Sequence, residues 1–187
     1  MFDKVRNEGG RASCQDNWPV FHLMRGSQFS AWDEDTLRSY QNDLRKAEEE
    51  GRNLLTEKYG YMMASTNPDE FSRIRDRLPY VAEEKRALIE EILTAVMRQT
   101  EEFMAEYPAF LGHSRTLHTK GDTPFSTSIE TYSRGELCTY SEETLKKYLH
   151  HIREAEKRGD RIVYDIYTAT VHGYGYETLK EANDANR

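Results

Sequence analysis

Two stretches of this chain lie over each other without a gap: "TLRSYQNDLRKAEEEGRNLLTEKYGYMM", Thr36 to Met63, and "TLKKYLHHIREAEKRGDRIVYDIYTATV", Thr144 to Val171. Identities fall at Thr36/Thr144, Leu37/Leu145, Tyr40/Tyr148, Arg45/Arg153, Ala47/Ala155, Glu48/Glu156, Gly51/Gly159 and Tyr59/Tyr167. Leu37, Tyr40, Leu44 and Ala47 recur at helical spacing with charges between them, so one face of this helix packs and the other is wet. Gly51 then closes it, and Asn53 starts a second helix running to about Ser65. Two unrelated amphipathic helices would share such a stripe, but periodicity demands neither the repeated glycine nor the Tyr59/Tyr167 match. The repeat therefore reads as a duplicated pair of antiparallel helices.

Extending the register backwards sets Trp32 over Tyr140 and Gln28 over Glu136. It predicts a further helix before each pair, about 17–30 and 126–139, each followed by a start signal, "WDED" and "YSEE". "AEEKRALIEEILTAVMRQTEEFMAEYP" reads as one long helix over 82–107, with carboxylates in its first turns and Pro108 as its stop. Its stripe is Leu88, Ile92, Val96, Phe103 and Tyr107. No run alternates as a strand does. The expected fold is a single-domain, all-α helical bundle spanning 1–187, built from two pseudo-symmetric three-helix units (17–65 and 126–172) joined by the long helix.

A net charge of -7 without a local basic tract argues against nucleic acid as a partner. No apolar run reaches membrane-span length, and two cysteines, Cys14 and Cys138, make no disulfide framework. A cytoplasmic protein with reduced thiols is expected.

On the helix over 17–30, Trp18, Phe21, Arg25, Gln28 and Trp32 share one face, so an Arg and a Gln sit among aromatic side chains. Buried polar groups need partners. Glu130, Arg134 and Glu136 in the second half offer them: Glu130 and Arg134 as an i, i+4 pair, and Glu136 as an ion pair with Arg25 across the two halves. The loop from Leu111 to Pro124 gathers His113, Arg115, His118 and Lys120, a modest basic cluster whose plainer reading is a solvated loop.

The segment "NEGGRASCQDNW" puts Gly9-Gly10, Arg11, Cys14 and Gln15 just before that first helix, where free amides and Arg11 would suit an anion or activate the thiol. A nucleophilic cysteine also wants a base, and none of His22, His113, His118, His150, His151 and His172 is placed beside Cys14 by its sequence position. A small buried or capping cysteine is the plainer reading. Metal-ligand spacings and phosphate-cradling fingerprints are absent from the sequence.

The runs "NEGGRASCQDNW", "MRGSQFSAW", "EEGRNLLTEKYGYMM" and "TSIETYSRGELCTYSEETL" together resemble an uncharacterised bacterial family, the domain of unknown function family 4125. The resemblance spans nearly the whole chain. It implies a bacterial, self-contained domain whose family-like residues include Gly9, Gly10, Arg11, Cys14, Gln15, Arg25, Gln28, Glu130, Arg134 and Glu136, and it brings no activity, substrate or cofactor with it.

Two functional classes stay open at this point. In the first, the domain binds a small polar or anionic molecule between its halves through Arg11, Gln15, Arg25, Gln28 and Arg134, with Cys14, Glu130 or Glu136 as candidate catalytic groups. In the second, it is a non-catalytic protein-interaction module, a homodimer for example, whose polar network only fixes packing.

Overall fold

The computed structural model describes residues 17–187, with the side chains of 111–113 excepted. Among these residues the chain forms nine α-helices: α1 (Trp18–Ser30), α2 (Glu34–Glu49), α3 (Leu54–Thr66), α4 (Pro68–Ile74), α5 (Glu83–Glu106), α6 (Ile129–Leu137), α7 (Glu142–Arg158), α8 (Ile162–Gly173) and α9 (Leu179–Ala185). Most are linked by short turns, a 3-10 segment follows α4, the longer connection from α5 to α6 carries two more, and no strand occurs among the described residues. The fold is all-α.

The helix starts are written in side-chain chemistry. Asn17, Asp33, Asn53, Asn67, Ser128, Ser141 and Thr178 each stand just before a helix and accept a hydrogen bond from one of its first free amides. The ends of α2 and α7 are built alike. Gly51 and Gly159 take φ of 68° and 83°, where a Cβ would be strained, and the next amides bond back across the turn, Arg52 to the Ala47 carbonyl and Asp160 to that of Ala155. The two repeated glycines are therefore capping residues.

Helix α2 packs on α7, α1 on α8 and α3 on α6, while α5 runs against α6, α7 and α8. Between α2 and α7 four rings meet: Trp32 lies 5.8 Å from Tyr140 and 5.0 Å from Tyr148, and Tyr40 lies 4.8 Å from Tyr140. Each of the two central helices also reaches the start of the other. Asp43 accepts from the Ser141 amide (2.9 Å) and the Thr144 hydroxyl (2.7 Å), and His151 sits 2.9 Å from the Ala31 carbonyl and 3.4 Å from the Asp33 carboxylate. Such buried polar contacts select one register of packing.

Three details depart from the sequence reading. Helices α4 and α9 were not anticipated, because seven residues carry too little periodicity and only their Asn67 and Thr178 caps announce them. Helix α6 begins at Ile129, behind its Ser128 cap, instead of near 126. The buried face of α5 is Ile89, Ile92, Leu93, Met97, Phe103 and Met104, with Leu88 and Val96 only partly covered. That face is broader than the stripe because three helices contact α5 along its length.

Helices α3 and α6 approach closely because Gly135 has no side chain: a Cβ there would lie 2.7 Å from Met62 Cγ and 3.0 Å from the Lys58 carbonyl oxygen. Alanine favours a helix over glycine by about 1 kcal/mol, but the backbone oxygen cannot yield as a side chain can. Gly135→Ala is expected to destabilise the domain by about 1–3 kcal/mol in urea unfolding, against the gain that an uncrowded helical glycine would give.

Candidate functional site

That close approach sets Lys58 of α3 beside Glu136 of α6. Lys58 Nζ donates to Glu136 Oε2 at 2.5 Å, and the ammonium also lies 3.3 Å from the centre of the Tyr132 ring. From α1, Arg25 and Gln28 are one turn apart and both reach the other oxygen: Arg25 Nη1 donates to Glu136 Oε1 at 2.5 Å and Gln28 Nε2 at 3.1 Å. Tyr140, one turn beyond Glu136 on the chain, donates its hydroxyl to the same Oε1 at 2.7 Å. The expected Arg25–Glu136 pair between the halves is present, inside a larger cluster.

The electrostatics follow from burial. Side-chain exposure is 17% for Arg25, 8% for Glu136 and 3% for Lys58, so water screens none of them well. Burial by itself pushes the Glu136 carboxyl upward, but attraction to Arg25 and Lys58, with hydrogen bonds from Lys58 and Tyr140, outweighs it and holds the group well below the usual carboxylate range. For Arg25, burial opposes the charge and Glu136 more than restores it, so its pKa lies above the ordinary guanidinium value. Tyr40, desolvated beside them, is pushed up to about 12 and stays a neutral phenol.

One wall of a cavity of about 430 Å³ is formed by this cluster. Among the described residues its charged lining is Arg25, Lys58 and Glu136, and apart from Thr139 the remainder is apolar or aromatic, including Phe29, Tyr40, Leu44, Leu54 and Leu55. Two cations face one carboxylate, which leaves one positive charge uncompensated within the lining. Donors also outnumber acceptors. Arg25 Nη2 donates to the Tyr40 hydroxyl at 3.3 Å, which leaves the Tyr40 proton without an acceptor among the described residues, and Lys58 has one hydrogen-bond acceptor for three N–H groups.

The candidate residues divide between two places. Arg25, Gln28 and Glu136 come together as described. Glu130 and Arg134 form their expected pair (3.0 Å) on another flank of α6, where Arg134 also makes a two-pronged contact with Glu90 at 2.8 and 2.9 Å. Glu130 further accepts from the Thr119 amide at 2.9 Å, and His118 lies 3.5 Å away. Burial raises the Glu130 pKa, but the Thr119 amide and Arg134 together bring it below the ordinary value. This flank has carboxylates enough for its cations. Arg11, Cys14 and Gln15 lie outside the described residues.

Lys58, Tyr40 and Tyr140 were not singled out as site residues from sequence. A signal for Lys58 existed: in the gapless overlay of Thr36–Met63 on Thr144–Val171 it falls on Ile166, so a cation stands where the other stretch is apolar. Burial pushes the thiol of the other cysteine, Cys138, up to about 11, which disfavours the thiolate form. Among the described residues no group of three or more His, Cys, Asp or Glu side chains is arranged to hold a metal ion, and no helix is long and apolar enough to cross a membrane.

One family model, described as a protein of unknown function (DUF4125), matches residues 1–184 of the 187-residue chain. The chain belongs to this family. No curated protein matches it, and no solved structure does. In this DUF4125 chain the residues that surround Glu136 come from three separated segments, Arg25 and Gln28, Lys58, and Tyr140, so the cluster exists only once α1, α3 and α6 have packed.

Proposed function

We propose that this DUF4125 domain binds a small anion in the cavity beside Glu136, with Arg25, Lys58 and Tyr40 as the groups that receive it. The observation that carries the reading is the charge imbalance of the lining, two buried cations against one carboxylate. A buried uncompensated charge is expensive, and an anion in the cavity relieves that cost where solvent does so poorly. The volume lies within the range of about 300–1,000 Å³ usual for small-molecule sites.

In this reading Glu136 positions the cations and takes no part in proton transfer, since a carboxyl held so far below its ordinary value is a poor acid and a poor base near neutrality. Gln28 fixes the Arg25 guanidinium by accepting from Nη1 at 2.9 Å. The site belongs to a duplicated architecture in this proposal. Exchange of repeat-equivalent helices turns the α1 contact with α8 into the α6 contact with α3 and leaves α2 against α7, which supports the duplication. The anion then sits where one copy meets the other, and a cytoplasmic setting suits a sequence whose two cysteines make no disulfide framework.

A purely structural network, as in a protein-interaction module, would be expected to balance its charges, as Arg134 does with Glu90 and Glu130. Calorimetric titration with acetate, benzoate and inorganic phosphate tests the proposal. At least one of these binds, and its affinity falls by about tenfold or more in Lys58→Met, which removes a charge in direct line with the cavity. Silence from all three in the unaltered protein would overturn it.

A further inference from the structure

The chemistry of the cavity narrows the anion further. Resting on the anion-binding reading above, we infer that the ligand is an aryl monocarboxylate: one carboxylate group carried on a flat aromatic body.

Three features converge on this class. The excess charge of the lining is a single unit, Arg25 and Lys58 against Glu136, so a monoanion closes the balance while a phosphate dianion or a dicarboxylate would leave a buried negative charge. The polar wall offers more donors than acceptors. One Glu136 oxygen accepts from Arg25, Gln28 and Tyr140 and the other from Lys58, while Lys58 and Tyr40 have hydrogens to give, which favours an acceptor-only polar end, as a carboxylate is and a protonated acid or an amide is not. Beyond Thr139, whose hydroxyl already donates to the Glu136 carbonyl oxygen, the rest of the lining is apolar or aromatic. Phe29 and Tyr40 have ring centres 5.5 Å apart, the Arg25 guanidinium lies 4.8 Å from the Phe29 ring, and Leu44, Leu54 and Leu55 complete the apolar part. Edges and faces of fixed aromatic rings suit another flat ring packed against them.

The polar recognition is confined to one copy of the repeat. The register partners of Arg25, Lys58 and Glu136 are Ser133, Ile166 and Gln28, and these three line a second cavity of about 260 Å³ together with Val163 and Tyr148. Arg25 and Glu136 border both spaces, but the second holds no cation in excess of its carboxylate. A single ligand per chain is therefore expected.

Calorimetric titration with a matched set of small probes decides the matter: benzoate and phenylacetate against benzamide, acetate, terephthalate and inorganic phosphate. The expected result is one benzoate or phenylacetate per chain, with benzamide, acetate and terephthalate each at least tenfold weaker. Leu55→Phe, which narrows the cavity from its half-exposed apolar side and leaves every charge in place, is expected to weaken benzoate by about tenfold while leaving the unfolding temperature close to that of the unaltered protein. Tight binding of phosphate or terephthalate with weak benzoate would overturn the aryl monocarboxylate and leave the anion site standing. Equal binding of benzamide and benzoate would overturn both, since charge would then play no part, and so would the absence of binding by every probe.

Discussion

Glu136→Gln should destabilise the domain by about 3–5 kcal/mol, the cost typical of removing one partner from a buried ion cluster, and should be the most damaging single change among the charged residues of the cavity. The side chain keeps its shape but loses the one negative charge that both Arg25 and Lys58 face at 2.5 Å. Lys58→Met should be far milder, within about 1 kcal/mol of the unaltered protein, because it removes the surplus cation and leaves Arg25 paired with Glu136. The double change Glu136→Gln with Lys58→Met should cost less than the sum of the two, by roughly 0.5–3 kcal/mol, as for residues in direct contact. Urea unfolding of the four proteins checks all three statements, and equal, additive effects of the two single changes would contradict them.

The same substitution has a pH signature whose sign follows from the direction of the shift. Glu136 has a folded-state pKa below that of the unfolded chain, so it contributes stability above the ordinary carboxylate value of about 4.3, and that contribution is lost as the pH falls below it. Stability of the unaltered protein should therefore drop between about pH 5 and pH 2 more steeply than that of Glu136→Gln, and the two curves should converge in acid. Parallel curves over that range would show that the carboxylate carries no net favourable interaction.

Phe103→Ala should cost about 3–5 kcal/mol for a different reason. Phe103 is fully buried near the C-terminal half of α5, stacked on Tyr167 with ring centres 4.0 Å apart, and met edge-on by Tyr164 at 5.2 Å and Phe110 at 5.3 Å. Truncation leaves an aromatic cage without its centre, and rings fixed from three segments collapse into the space poorly. Phe103→Leu, which refills most of the volume, should cost about 1–1.5 kcal/mol. Thermal unfolding separates the two outcomes, and a small loss in the alanine protein would mean that the Phe110 segment closes over the gap.

Phe103 was legible in the sequence because it lies on a long helix with sustained periodicity, where a stripe can be counted. The caps Asp33, Asn53 and Ser141 were legible for a related reason, since a start signal stands beside the helix it serves. The site was legible only in part. Arg25 and Glu136 could be paired because the overlay of the two stretches, extended backwards, sets Gln28 over Glu136 and so suggests that their helices meet, and the two side chains do form an ion pair. Arg134 was grouped with them wrongly in space: two positions before Glu136 on one helix is a rotation of about 200°, which points the two side chains to opposite flanks of α6. Glu130 follows Arg134 to that flank. Lys58 escaped notice because it sits inside an apolar run, and its meaning depends on how closely α3 approaches α6 at Gly135, a distance no local pattern encodes.

In the proposed site the cluster holds one buried positive charge more than it can balance and takes an anion to balance it. The most direct test is thermal unfolding of the unaltered protein and of Lys58→Met side by side, in buffer free of small organic anions and again with benzoate. The two proteins should be of similar stability in the first condition, and benzoate should raise the midpoint of the unaltered protein and not that of Lys58→Met. A Lys58→Met protein that is several kcal/mol less stable than the unaltered one, with neither responding to the anion, would show a closed structural network instead of a binding site.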